Sequence, residues 1–223
     1  MKRLALVLVA TALAVAGVAS VLAQDADTRP FTDTFLVDMK DLSSTGVNPY
    51  FNLEPGYRLV YAGTDEGKSK ELVITVLDET KKIGDVETRV VEERETTDGK
   101  ETELSRNYFA ICKKTNSVYY FGEDAGGAWL SGENGARFGL MMPGTVLVGS
   151  RYCQEIAPGK AMDRAEHVSM TESLETPAGK FENVLKVEET TPLEPGDKEY
   201  KYYAAGVGLI KDGALKLVSY GKK

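Results

Sequence analysis

The feature that most restricts the fold is a regular alternation, from about residue 57 onward, of short β-prone stretches with turn-forming clusters. Val, Ile, Leu, Thr and Tyr dominate the stretches, and Gly, Pro, Asn and Asp separate them, a pattern typical of antiparallel all-β domains. The predicted strands are Tyr57–Ala62, Lys70–Glu79, Val86–Thr96, Glu101–Cys112, Ser117–Glu123, Arg137–Met142, Ser150–Ile156, Arg164–Leu174, Asn183–Thr190, Glu199–Ala204, Gly208–Lys211 and Ala214–Tyr220.

The turns and the strand patterns together predict a curved sheet. Thr97–Lys100 and Lys211–Ala214 each contain Asp-Gly, a pair that favours tight hairpins because glycine readily takes positive φ. Only Pro158–Glu166 has the composition of a helix, and it is short. The stretch Val86–Thr96 begins apolar and ends in a run of glutamates, so one end of this strand leaves the core. We expect a single antiparallel, strongly curved sheet or open barrel with little helix.

The start of the chain has the pattern of a secretory signal. Lys2 and Arg3 precede an apolar run from Leu4 to Val18, and small residues follow as far as Ala23. We predict a signal peptide at residues 1–23, an irregular lead-in at 24–48 and a single β domain at 49–223. Gln24, rather than cysteine, follows the predicted cut, so the protein is expected to be exported, soluble and not lipid-anchored, in the periplasm or outside the cell.

Charge and cysteine content limit the partners of the exported chain. The full sequence has a net charge of −7, and loss of Lys2 and Arg3 makes it −9. Such acidity disfavours nucleic acid and anionic lipid surfaces as partners. No segment after the signal is long and apolar enough to span a bilayer. Cys112 and Cys153 would meet an oxidising environment, which leaves two alternatives, a disulfide or two separate buried thiols.

Three passages carry a resemblance to a known group of proteins. They are Asn48–Tyr61 (NPYFNLEPGYRLVY), Thr176–Val187 (TPAGKFENVLKV) and Tyr202–Lys211 (YYAAGVGLIK). Together they resemble uncharacterised exported bacterial proteins, many of them lipoproteins, which are distantly similar to the half-barrels of bacterial lipoprotein carriers. The resemblance implies a half-barrel or lipocalin-like fold and supplies no catalytic residues. Ala205 stands where the closing motif of that group usually has proline.

Catalytic motifs are absent, so an enzyme is not favoured, although it is not excluded. The sequence contains no nucleophile elbow, phosphate loop, C-x-x-C pair or H-E-x-x-H zinc motif. His167 is the one histidine, and we expect it to be a solvated residue of the strand Arg164–Leu174. No cofactor is predicted except a weak divalent-cation site at Glu123 and Asp124, next to Gly126 and Gly127.

Aromatic and apolar side chains suggest a ligand site. Tyr200 and Tyr202 share one strand face, and the glycine-rich segment Trp129–Gly144 has apolar residues suited to covering a cavity. The competing interpretation is that these side chains fill an ordinary barrel core. The predicted ligand-binding residues are Tyr119, Phe121, Trp129, Phe138, Met141, Met142, Tyr200 and Tyr202.

These patterns favour an exported binding or carrier module for an apolar or amphipathic small molecule or lipid. One alternative is an enzyme of unfamiliar type that depends on carboxylates or a metal. Another is an interaction or scaffold protein of the cell envelope. No pattern specifies an oligomeric state.

Overall fold

The computed structural model describes residues 29–125 and 128–222, and it is almost entirely β. The predicted signal at residues 1–23 and the first residues of the lead-in lie outside the described ranges. The strands are β1 (Leu42–Ser43), β2 (Val47–Asn48), β3 (Phe51–Asn52), β4 (Tyr57–Asp65), β5 (Lys68–Ile83), β6 (Val86–Thr97), β7 (Lys100–Cys112), β8 (Val118–Asp124), β9 (Trp129–Leu130), β10 (Arg137–Met142), β11 (Arg151–Cys153), β12 (Glu155–Ile156), β13 (Arg164–Thr176), β14 (Gly179–Thr190), β15 (Glu199–Ala204), β16 (Gly208–Asp212) and β17 (Leu215–Lys222).

The described part of the chain has no α-helix, and its one short helical element is a 3₁₀ turn at Met39–Asp41. Across residues 29–125 and 128–222, no helix reaches the length and hydropathy needed to cross a membrane. The expectation of a β fold with little helix is therefore confirmed.

One antiparallel sheet holds almost all of the strands. Its order is β11-β13-β14-β15-β16-β17-β4-β5-β6-β7-β8-β10-β12, with β1 added beside β7 and β9 beside β8. The sheet curves until it is nearly closed into a barrel, and an unsealed seam remains. The predicted strongly curved sheet or open barrel is confirmed. The two ends of the strand order, β11 and β12, are joined in the chain by the single residue Gln154.

Tight hairpins connect the long strands, as the Asp-Gly pairs predict. Between β6 and β7, Thr97 pairs with Lys100, while Asp98 and Gly99 take φ values of 51° and 74°. Positive φ at both central residues matches the right-handed twist of the flanking strands. Short turns of this kind keep sequential strands adjacent and give the sheet its simple up-and-down order.

The two faces of the sheet are covered differently. The inner face forms the main core, which includes the fully buried Tyr61, Leu185 and Leu217. On the opposite face of β6–β8, a second cluster lies beneath the lead-in, where the Phe35 ring is 6.0 Å from Tyr119 and 6.4 Å from Phe138. Most of the inner face is therefore apolar, and the few polar residues on it determine which ligands the barrel interior can bind.

Candidate ligand-binding cavity

The barrel interior contains an apolar chamber of about 90 Å³. The β2–β3 hairpin forms one side of the chamber, and the Phe51 ring of this hairpin packs against Phe109 with a centroid distance of 5.0 Å. The hairpin is anchored by Asn48, whose side-chain amide donates to the carbonyl oxygens of Asn116 and Pro143 at 2.8 and 3.0 Å. The main apolar residues that line the chamber are Tyr50, Phe51, Tyr57, Leu59, Leu72, Ile74, Val76, Val91, Phe109, Met141, Tyr203, Val207 and Leu209.

A polar chamber of about 210 Å³ adjoins the apolar chamber. Glu93, Phe109, Met141 and Lys201 line both chambers, so the two volumes share a wall. Of the residues that the structure describes, six with carboxyl groups and a single lysine contribute to the lining of the polar chamber. Its lining residues are Glu93, Glu103, Ser105, Asn107, Phe109, Tyr120, Glu123, Met141, Gln154, Glu155, Asp163, Glu189 and Lys201.

A groove on the surface leads to the polar chamber. It has a volume of about 300 Å³ and shares Asp163, Glu189 and Lys201 with that chamber. Its outer wall includes Leu193, Glu194 and other exposed residues of the loop between β14 and β15. The interior therefore has a route to solvent through a polar opening.

Lys201 lies at the junction of the two chambers and is paired with acidic side chains. Its ammonium is 2.8 Å from Glu189 Oε2 and 3.9 Å from Asp212 Oδ2. Burial disfavours the charge of the lysine, but the carboxylates of Glu189 and Asp212 outweigh burial and hold the pKa of Lys201 well above its ordinary value. Glu189 also accepts a hydrogen bond of 2.9 Å from the Gln154 side chain. The lysine is therefore charged and already neutralised.

Glu93 and Glu155 differ from Glu189 in having no partner. Within residues 29–125 and 128–222, neither carboxyl has a hydrogen bond or an ion pair, and Glu155 is only 9% exposed. Burial raises the pKa of Glu93 to about 7, and burial together with the nearby Asp163 raises the pKa of Glu155 to about 8. Perturbed carboxyls in a cleft are a frequent mark of a functional site.

Aromatic side chains border the polar chamber. The Tyr120 ring stacks on Phe109 at 4.6 Å, and its hydroxyl donates a short hydrogen bond to the Asn107 side-chain oxygen. On the other side, burial raises the pKa of Tyr203 well above its ordinary value. Both hydroxyls therefore remain neutral at ordinary pH. Tyr120 lines the polar chamber, Tyr203 lines the apolar chamber, and Phe109 lines both.

The predicted ligand-binding residues do not come together in this cavity, and Met141 alone among them lines it. Tyr119, Phe121 and Phe138 lie in the cluster beneath the lead-in, on the opposite face of the sheet. Trp129 and Met142 are buried in the main core. Tyr200 and Tyr202 do share a face, but Tyr200 is 37% exposed and donates to Glu188 at 2.8 Å, while Tyr202 lies against the ammonium groups of Lys186 and Lys211.

The predicted divalent-cation site at Glu123 and Asp124 lies near the edge of the cavity. Glu123 and Asp124 border a depression beside Trp129, Glu123 also lines the polar chamber, and the neighbouring residues 126 and 127 lie outside the described ranges. Among the described residues, no group of three or more His, Cys, Asp or Glu side chains is arranged to hold a metal ion.

Cys112 and Cys153 are both buried free thiols. Of the two alternatives for these cysteines, the structure therefore has two separate buried thiols and not a disulfide.

The expectation of a solvated histidine is wrong. His167 is fully buried, and its Nε2 is hydrogen-bonded to the Tyr152 hydroxyl at 2.8 Å. Strand alternation places Ala165 and His167 on one face, and this face turns out to be the inner one. Burial lowers the pKa of His167 to about 4, so the ring is neutral at pH 7.

The polar residues of the cavity have a weak signal in the sequence. Glu93 lies two positions from Val91 on β6, and Lys201 lies two positions from Tyr203 on β15, so each charge shares a strand face with a core residue. A charged residue on an apolar strand face indicates either a functional site or the point where the strand leaves the core, and the run of glutamates in β6 favours the second interpretation from sequence alone.

Comparisons with known proteins give no family for the chain: no family model matches it, and neither a curated protein nor a solved structure matches it.

Proposed function

We propose that this chain is an exported binding or carrier protein that holds a small amphipathic molecule inside its open barrel. The observation that carries the proposal is the shared wall between an apolar chamber and a polar chamber. A molecule with an apolar and a polar part fits such a division, since each part then lies against lining of its own kind. Export rests on the signal pattern of residues 1–23.

The cavity suits a small ligand rather than a long lipid. Volumes of about 90 and 210 Å³ together reach the lower end of the roughly 300–1,000 Å³ that ligand pockets usually have. The apolar chamber has room for a ring or a short chain. The lining is typical of small-molecule sites, which combine many apolar side chains with a few convergent polar groups.

Native mass spectrometry of protein purified from its own host tests the proposal, together with binding of indole, a small neutral fluorescent probe. We expect a small molecule to co-purify and the probe to bind. Absence of any co-purifying molecule together with absence of probe binding would overturn the carrier proposal.

A matched pair of variants on β5 locates the probe. Ile74 lines the apolar chamber, whereas the neighbouring Val73 points to the other face of the strand. Ile74→Trp should fill the chamber and weaken probe binding by about tenfold, whereas Val73→Trp should bind as the unaltered protein does. Equal binding by both variants would show that the probe does not occupy this chamber. Thermal melting of each variant verifies that it folds.

A second candidate is a carboxylate-dependent enzyme, favoured by the pKa values of Glu93 and Glu155, about 7 and about 8. Such values suit proton transfer near neutral pH, where a general acid or base is most effective. Lys201 is an unsuitable nucleophile because it is held protonated. A screen of glycoside, ester and amide substrates tests this candidate, and turnover that disappears in Glu155→Gln would establish it over the carrier.

A further inference from the structure

We infer that the ligand of this cavity carries a cationic head group, an organic ammonium, which the polar chamber receives. The inference rests on the proposed function, since it names the chemical class of the same ligand. Three features of the cavity lead to it: the balance of charge, an unpartnered buried carboxyl and the adjoining apolar wall.

The balance of charge in the polar chamber is negative once its carboxyl groups are ionised. Among the described residues, six carboxyl groups line it and Lys201 is the one basic residue. The lysine is already paired with Glu189 and Asp212. Lys201 also acts on Glu93 and Glu155, but burial outweighs its effect there, so a single lysine serves several acids and the chamber is short of positive charge.

Glu155 is the most direct sign of a missing partner. It lines the chamber, is nine-tenths buried and has neither a hydrogen bond nor an ion pair within the described ranges. Burial of a carboxyl without a partner opposes folding whichever protonation state it adopts. An ammonium has three N–H donors and could reach Glu155 together with Glu93, which is also unpartnered. A bound amine would convert two unfavourable side chains into ion pairs.

The adjoining wall favours an organic cation over a metal ion. No metal-binding group of His, Cys, Asp or Glu occurs among residues 29–125 and 128–222. Phe109 lines both chambers and Tyr120 lines the polar one, and the faces of aromatic rings attract alkylated cations. The adjoining apolar chamber gives the remainder of the ligand an environment that a bare ion would not need.

An anionic amphiphile, such as a short fatty acid, fits the cavity poorly. Its carboxylate would enter a chamber already lined by six acids, and like charges at close range in a partly buried site repel strongly. The positive charge of Lys201 is already shared by Glu189 and Asp212, which weakens its attraction for a third carboxylate. Neutral head groups would avoid the repulsion but would leave Glu93 and Glu155 unpaired.

Isothermal titration calorimetry with three matched ligands tests the inference. The ligands are 2-phenylethylamine, 2-phenylethanol and 3-phenylpropanoate, which share a ring and differ in the charge of the head group. At pH 8.5 we expect the amine to bind about tenfold or more tightly than the alcohol, and the acid to bind weakest. At pH 7, where Glu155 is mostly protonated and Glu93 about half protonated, amine binding should also release protons, which titrations in buffers of different ionisation enthalpy detect.

Variants identify the groups that receive the amine. Glu155→Gln and Glu93→Gln should each weaken binding of the amine about tenfold and should weaken binding of the uncharged alcohol much less. Glu71→Gln, at an exposed position of β5, is the matched control and should bind the amine as the unaltered protein does.

The outcomes separate this inference from the proposed function. An amine that binds no more tightly than the alcohol, or equally well to Glu155→Gln and Glu93→Gln, overturns the cationic head group while the carrier proposal stands. Failure of all three ligands, of the fluorescent probe and of co-purification overturns both. Because the unaltered protein is compared across three ligands, the test does not depend on the folding of any variant.

Discussion

The ammonium of Lys201 lies 2.8 Å from the carboxylate of Glu189, and the two side chains are only 24% and 8% exposed. This ion pair joins two adjacent strands, β15 and β14, on the inner face of the barrel. It also determines which acids of the cavity are neutralised and which are not. The first prediction concerns its removal.

Lys201→Met should lower the free energy of unfolding by about 3 kcal/mol, because it leaves Glu189 buried without its charged partner. Urea denaturation measures the change. The double variant Lys201→Met with Glu189→Gln should recover part of the loss. Lys198→Met is the control: Lys198 lies 2.8 Å from Glu188, but its side chain is 57% exposed, so its removal should cost at most about 1 kcal/mol. Equal losses in the two lysine variants would contradict the prediction.

The stability of the protein should fall as the pH rises from about 5 to about 8. The folded-state pKa values of Glu93 and Glu155 are about 7 and about 8, above the ordinary value of 4.5. In this window the folded protein retains protons that the unfolded chain has lost. The resulting stabilisation is complete below pH 4.5 and is lost as the pH rises through the folded-state values.

Variants that cannot ionise test this pH dependence. The double variant Glu93→Gln with Glu155→Gln should lose most of the slope and should be more stable than the unaltered protein at pH 9. Urea denaturation at intervals from pH 5 to pH 9 measures the slope, with the exposed Glu71→Gln as control. Parallel curves for the double variant and the unaltered protein would be inconsistent with raised pKa values.

Tyr152→Phe should destabilise the protein by about 1–2 kcal/mol, because it leaves a nitrogen of the buried His167 without its hydrogen bond. Tyr220→Phe, at a position that is 47% exposed, should change stability by less than about 0.5 kcal/mol. Thermal melting at pH 7 measures both. A neutral effect of Tyr152→Phe would mean that the hydrogen bond contributes nothing.

His167 also makes a separate contribution at acid pH. Its folded-state pKa of about 4 lies below the ordinary 6.5, so its contribution to stability is present above pH 6.5 and is lost as the pH falls to about 4. His167→Gln should remove this acid-side loss. NMR titration of the histidine ring provides a direct check, and a ring that titrates near pH 6.5 would refute the assignment.

Two neighbouring residues of the lead-in should behave oppositely on truncation. Phe35 packs on Tyr119 and Phe138, whereas Leu36 is fully exposed. Phe35→Ala should cost about 2 kcal/mol, and Leu36→Ala should cost less than about 0.5 kcal/mol. Equal costs would show that the lead-in does not depend on this aromatic contact. Guanidinium denaturation measures both.

Much of the fold follows from local signals in the sequence. Every predicted strand overlaps an observed strand, because alternating β-branched residues and Asp-Gly turns act over a few residues. The prediction Ser150–Ile156 was too simple, since Gln154 divides it into β11 and β12. The two-residue strands β1, β2, β3 and β9 were not predicted, because they are too short to show a period and depend on tertiary partners.

The site was harder to predict, because alternation shows which residues share a face but not which face is inside. Tyr119 and Tyr120 are adjacent, yet Tyr120 reaches the polar chamber while Tyr119 packs under the lead-in. For the same reason, the burial of His167 could not be predicted from the strand pattern. Glu155 and Lys201 come together only through the closure of the sheet, which brings together strands that are distant along the chain.

The seam beside Gln154 has a mechanical consequence. In a fully closed barrel, the circumference is fixed by the number of strands and the stagger of their pairing, so a guest must match a rigid diameter. Here the seam is crossed by the chain at Gln154 and by backbone bonds from the Gln154 and Glu155 N–H groups to the Asp163 carbonyl in place of a full strand pairing, so fewer bonds oppose a change in its width. We therefore expect the internal diameter of the barrel to adjust to the bound ligand. The compressibility of the protein should fall when the ligand binds.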